Sequence, residues 1–152
     1  MIIQVHNSIL PDQLQRLAQN LTMLDSREVK AHGFISNHQG LEHSIRASSF
    51  FTFFTDEFGR AMGVAGVFPT GDRIGGVWLL TTDVVKHSPI EFIKASRIWL
   101  ARFSKDYDML HNMADCRNLP HLKMLKLLDF KELGYRSVGP KAHTFVEFAK
   151  LL

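Results

Sequence analysis

The chain has 152 residues, 45% of them hydrophobic and 22% charged, a balance that excludes a disordered protein and leaves one domain, 1–152, as the expected unit. Its formal charge of +3 is unevenly divided: residues 1–85 carry 6 Lys/Arg against 8 Asp/Glu, and residues 86–152 carry 12 against 7. There is no Lys/Arg run, so nucleic acid is not indicated as a partner, although the basic second half could meet an anionic one.

A lone cysteine, Cys116, excludes an intrachain disulfide and suits a reducing compartment. No apolar stretch approaches the roughly 18 residues that span a bilayer. The start, Met1 to His6, lacks the basic head and long apolar core of a secretory signal. A soluble cytosolic protein with no membrane partner is expected.

Met1 to Asn7 alternates as a first strand. Pro11 opens a helix in which Leu14, Leu17, Ala18, Leu21 and Leu24 keep the three-and-four spacing of one buried face. Asp25 with Glu28 three residues on has the form of a capping box, which restarts a second short helix ending at Gly33. Gly40 to Ser48 can add another helical turn or two. Phe50 to Thr55, Ala61 to Phe68 and Val77 to Thr82 then read as strands, separated by turns over 56–60 and 69–76. The small residues Ala61, Gly63, Ala65 and Gly66 permit close backbone approach. Pro89 begins the longest helix, to about Lys105, with Phe92, Ala95, Ser96, Trp99, Leu100 and Phe103 inward. Met109 to Asp115 is a strand, Pro120 to Leu128 a helix, and Phe130 to Val138 and His143 to Phe148 are closing strands.

From Val77 to Leu133 there is no glycine. The connector between the central strand and the long helix reads Thr82-Asp83-Val84-Val85-Lys86-His87-Ser88-Pro89. A loop that cradles a pyrophosphate needs glycines, because only a residue without Cβ lets consecutive N–H groups turn toward the phosphates.

The succession β-α-α-β-β-β-α-β-α-β-β resembles the GNAT fold of acyl-CoA N-acyltransferases: α/β, with a mixed, mainly antiparallel central sheet flanked by helices. Many members carry an Asn at the end of the fifth strand, a Tyr seven residues later and a Gly-Phe pair after the helix. Asn118 and Phe130 fall at those separations, whereas Leu125 holds the Tyr position and Asp129 the Gly position. The chain is similar in pattern to the GNAT-like proteins of tailed bacteriophages, including the small internal-virion-protein family of short-tailed phages. That pattern comprises Asp25-Ser26-Arg27-Glu28, Gly75-Gly76-Val77-Trp78-Leu79-Leu80, Thr82-Asp83, His87-Ser88-Pro89, Ser96-Arg97-x-Trp99-Leu100 and Arg117-Asn118.

The phage resemblance, with the glycine loop and the tyrosine missing, implies a GNAT-fold protein that has lost catalysis and coenzyme. It would serve virion assembly or the virion itself through contacts with phage structural proteins or a second copy, in the host bacterial cytoplasm during assembly. The alternative is an active acetyl-CoA-dependent N-acetyltransferase with an atypical loop. Its coenzyme contacts would come from Leu80, Thr81 and Thr82 on the central strand, Lys86, His87 and Ser88 in the connector, and Asn118. A host-directed effector without chemistry is a third reading.

Asp83, leaving the central strand, is the candidate base; an Asp there is equally a helix cap. Leu125 has no proton to give, and Tyr107 and Tyr135 fall where they pack or cap. Cys116 lies five residues from both His111 and His121, a spacing that fits no structural zinc pattern, and no metal is expected. The run Phe50 to Phe54, with Phe58 and Phe68, is expected to be core, or a protein contact wherever a ring reaches the surface.

Overall fold

The computed structural model describes residues 2–152. A seven-stranded sheet in the order β1-β2-β3-β4-β5-β7-β6 carries the molecule. The strands are β1 (Gln4–His6), β2 (Phe50–Thr55), β3 (Ala61–Gly71), β4 (Ile74–Thr81), β5 (Met109–Asp115), β6 (Lys131–Val138) and β7 (His143–Leu151). All neighbours are antiparallel except β4 and β5. The helices are α1 (Pro11–Asn20), α2 (Met23–Ala31), α3 (Asn37–Ala47), α4 (Pro89–Ala101) and α5 (Leu119–Leu127). None is long and apolar enough to cross a membrane among the described residues.

Two cores lie on the two faces of the sheet. One packs Leu17, Val29 and Leu41 of α1–α3 against Val64 and Leu80. The other packs Phe92, Trp99 and Leu100 of α4 and Leu125 of α5 against Phe54, Val77 and Leu110. Trp99 sits in this core as its place in the helical stripe predicts, and its indole N–H donates to Thr52 Oγ1 at 2.9 Å. A buried indole needs such a partner, since an unpaired N–H would carry the desolvation penalty alone.

Several expected boundaries move, each for a local reason. The expected helix through Leu24 is two helices: Leu21 bridges to Thr82, and Thr22 then caps α2 by accepting the Asp25 N–H at 3.1 Å. Asp25 is therefore no cap. It lies with Glu28 on the inner side of α2, and both are buried. Glycine-rich residues 69–76 are not one long turn; β3 runs to Gly71 and β4 starts at Ile74, with Arg73 at a positive φ of 53° between them. The first strand is three residues long, and Met1 of the expected strand lies outside the described residues. Phe53 and Phe54 are core, Phe50 and Phe51 partly covered, and Phe58 alone of the aromatic group is open, 75% exposed.

Close approach at Gly66 is real. A Cβ there would lie 2.4 Å from Trp78 Nε1, because that indole crosses the glycine to donate to Ser48 Oγ at 2.7 Å.

Candidate functional site

Strands β4 and β5 run parallel but pair only over Ile74–Gly76 and Met109–His111. Beyond Gly76 they splay, so the β5-facing edge of β4 has no strand partner. Main-chain groups on such an edge must find water, side chains or a ligand. At the base, Trp99, Leu125 and Phe130 close the notch to about 40 Å³. At its mouth it widens into a cleft of about 540 Å³ between the carboxyl end of β4, the start of α2, and helices α4 and α5. Leu79, Phe92, Ile93 and Met124 give the cleft apolar walls, while Lys86 and Lys123 stand in its lining. A smaller cavity of about 80 Å³ opens on the α2–α3 side, lined by Glu28, His32, Trp78, Asn112 and His121 among others. Leu79 and His121 belong to both linings.

Where the two cavities meet, four polar side chains are buried together: Asp25 and Glu28 of α2, Asn118 at the N-cap of α5, and His121 in the first turn of α5. Glu28 Oε1 accepts from the Asp115 N–H at 2.9 Å and from Asn118 Nδ2 at 3.1 Å, and it lies 3.1 Å from His121 Nδ1. Asp25 Oδ2 accepts from the Thr81 N–H at 2.8 Å and the Thr81 hydroxyl at 2.9 Å, and Asp25 Oδ1 accepts from Asn118 Nδ2 at 2.9 Å. Such groups tolerate burial only because almost every lone pair and proton is matched. One is not. His121 Nε2 is buried without a hydrogen-bond partner among the described residues.

Burial pulls the His121 imidazole toward neutrality, but the Glu28 charge, its hydrogen bond and the Asp25 charge outweigh that and hold the ring above its ordinary value. Burial pushes the Asp25 carboxyl up, against the neighbouring His121 charge and with that of Glu28. Asp25, Glu28 and His121 also offer ligand atoms within 4.8 Å of one another, so these are the residues that could hold a cation. The Asn118 amide already bonds a carboxylate oxygen from each acid, doing part of a cation's work.

The connector is a different kind of structure. Residues Asp83–His87 are wound into a 3₁₀ turn, whose i→i+3 bonds take up its N–H groups. The Val85 N–H goes to the Thr82 carbonyl, the Ser88 N–H to the Val85 carbonyl, and the Val84 N–H to the Thr82 hydroxyl. The Asp83 N–H faces the Asn20 carbonyl across the Leu21–Thr82 bridge, which leaves the amides of Ile90 and Glu91, in the first turn of α4, without a partner among the described residues. Asp83 itself pairs with Lys86 at 2.7 Å, both side chains at least 70% exposed, and it is outside the cleft lining.

Of the residues singled out in the sequence, Thr81, Thr82, Lys86 and Asn118 line the cleft, whereas Leu80, Asp83, His87 and Ser88 do not. Asn118 caps α5 and ties together the two acids, which is a different task from contacting a coenzyme directly. His111 bonds Thr70 at 2.8 Å, so it forms no site with Cys116 and His121. Asp25, Glu28 and His121 were missed as a site. Two acids on the buried side of a helix otherwise faced by Val29 and Ala31 are the signal that could have found them.

A seven-stranded, mostly antiparallel sheet splayed between β4 and β5, with five helices on its faces, is the GNAT acetyltransferase fold. A GNAT-family acetyltransferase from Bacillus anthracis superposes with a TM-score of 0.71 at 10% identity, over 98% of this chain and 94% of its own. An aminoglycoside acetyltransferase solved with coenzyme A and kanamycin gives 0.68 at 12% identity, over 99% and 95%. Spermidine N-acetyltransferase from Vibrio cholerae, solved with coenzyme A and spermine, gives 0.68 at 11%, over 98% and 95%. No family model matches the sequence, and no curated protein matches it.

Proposed function

We propose that the cleft is the site of an N-acyltransferase that takes its acyl group from a thioester, acetyl-CoA being the donor the fold implies. One observation carries this reading: the bare edge of β4 opens into an apolar cleft bounded by a buried Glu28–His121 pair whose outer nitrogen is unsatisfied. Aminolysis of a thioester requires a proton to leave the amine and one to reach the departing sulfur. In the cleft wall His121, backed by Glu28, and Asp25 are the groups that could handle those protons, and a tyrosine is not available where Leu125 is buried. Thr81 and Thr82 spend their N–H and hydroxyl groups on Asp25, Met62 and Ala61, so the donor would meet the bare edge of β4 below them, at Leu79, while the connector does not fit a pyrophosphate.

The test is acetyl transfer, followed by mass spectrometry, from excess acetyl-CoA to amines such as spermine and kanamycin, which the structural neighbours bind. Product formed by the parent chain and reduced at least about tenfold in His121→Gln supports the reading. No product with any amine, at donor concentrations well above those used for the neighbours' class of enzyme, overturns it.

A second reading rests on the connector. With its N–H groups bonded within the 3₁₀ turn and Lys86 paired to Asp83, the connector has no built pyrophosphate cradle. Together with the phage-type sequence pattern, this favours a catalytically degenerate protein of virion assembly or of the virion, acting through phage structural proteins or a second copy. Mass spectrometry of purified virions and assembly intermediates checks it; absence from both, with a lone monomer in solution, rules it out.

A further inference from the structure

The two halves of the donor site disagree, and the disagreement says which kind of thioester fits. We propose that the cleft takes a pantetheine or phosphopantetheine thioester without the nucleotide, rather than a whole coenzyme A. The inference rests on the acyltransferase reading above.

The cleft offers what a pantetheine arm asks for. That arm is an extended chain bearing two amides, and an unpaired strand edge recognises such a chain through main-chain hydrogen bonds, as an added strand would. β4 has this edge from Val77 onward, and the cleft reaches it at Leu79. At the top, the edge is already closed: the Thr81 N–H is held by Asp25 Oδ2, and the Thr81 carbonyl accepts from the Thr22 N–H at 2.9 Å. The apolar walls supplied by Phe92, Ile93 and Met124 suit the methylenes between the amides.

A pyrophosphate would arrive at the connector, where the chain offers the opposite. The 3₁₀ turn occupies the amides that would face it. The two free ones, of Ile90 and Glu91, belong to the first turn of α4, and the nearby Lys86 is paired to Asp83. Few free donors and a lysine already paired make this end a poor fit for two adjacent phosphates. A single phosphate has an alternative on the opposite wall: exposed Lys123 lines the cleft and makes neither an ion pair nor a hydrogen bond among the described residues. One free ammonium suits the monoester of phosphopantetheine, whether free in solution or carried on a protein.

Binding decides this independently of turnover. The intact chain is titrated with acetyl-pantetheine, acetyl-phosphopantetheine, acetyl-CoA and adenosine 3′,5′-diphosphate. The expected result is that acetyl-CoA binds no more than about threefold tighter than acetyl-phosphopantetheine, and that the nucleotide alone does not compete. Lys123→Ala should weaken the phosphorylated ligand alone. An acyl carrier protein bearing the acetyl-phosphopantetheine arm separates the sources: tighter binding than the free arm assigns the donor to a protein, equal binding to the free small molecule. An advantage of about tenfold or more for acetyl-CoA overturns the nucleotide-free proposal and leaves the acyltransferase reading standing. If no thioester binds at all, both fall.

Discussion

The connector Thr82–Ser88 and the cluster of Asp25, Glu28, Asn118 and His121 flank the same cleft and are built on opposite plans. The connector satisfies itself: it bonds its own amides, pairs Asp83 with Lys86 in solvent, and offers a ligand little. The cluster gathers polar groups from α2 and the start of α5 around the Asp115 N–H of β5, satisfies nearly all of them mutually, and leaves one imidazole nitrogen over. A surface pair in high dielectric is worth little and costs little, so its presence carries no functional message. A buried cluster would be expensive if it were incomplete, so its near-completeness is informative and its one gap more so.

The largest effect expected from this contrast is on stability. Glu28→Ala strips the acceptor from the Asp115 N–H, the Asn118 amide and His121 at once. It should cost about 3–5 kcal/mol, the range for breaking a buried ion pair by removing one partner. Trp99→Ala at the base of the notch sets the scale for the apolar core, at a similar 3–5 kcal/mol or so. Urea unfolding reads both. A Glu28→Ala midpoint equal to the parent's would mean that the cluster is hydrated and cheap, and the contrast with the connector would collapse.

A smaller effect comes from pH. The fold holds His121 above its ordinary value of 6.5, so the ring binds its proton more tightly folded than unfolded. Its stabilisation is therefore complete below about pH 6.5 and fades as pH rises through the raised folded-state value. His32, lowered by burial against the charges of Glu28 and Asp115, works the other way: its stabilisation is complete above about pH 6.5 and is lost as pH falls through its lowered value. Because His32 is present in both proteins, the stability gap between the parent and His121→Gln cancels its part and reports the His121 ring together with the Asp25 carboxyl coupled to it. The gap should be widest in mild acid and narrow as pH rises through the raised value. A gap that is constant or widens with pH would show that the ring is neutral in the fold.

The same two regions divide what the sequence reveals. The connector was legible because its message is local: a run without glycine cannot turn consecutive amides outward, whatever surrounds it. Element order and the inward stripe of α4 were legible for the same reason, since periodicity and proline positions act over a few residues. The cluster depends on residues 93 positions apart meeting, and nothing local announces that. Asp25 and Glu28 also have the spacing of a capping box, and only Thr22, three residues earlier, distinguishes a cap from a buried pair. His121 was set beside Cys116 and His111 as an unmatched metal spacing, because its true partners lie across the sheet on α2.

The smallest effect is expected in the connector. Asp83→Ala and Lys86→Ala each remove one half of an exposed i, i+3 pair and should each shift stability by less than about 1 kcal/mol, shrinking further in salt. Neither side chain has another hydrogen-bond partner among the described residues, so nothing buried is left unpaired by either change. Lys86 nevertheless lines the cleft and Asp83 does not, so the two variants should differ in ligand binding where they agree in stability. Removing Asp83 frees Lys86, which should strengthen the binding of acetyl-CoA relative to acetyl-phosphopantetheine by a few-fold. Removing Lys86 should leave the binding of both ligands nearly unchanged if a single phosphate is received on the opposite wall at Lys123. Should Lys86→Ala weaken acetyl-CoA alone, the connector would be holding a pyrophosphate after all, and the division between a self-satisfied connector and a ligand-ready cluster would have to be redrawn.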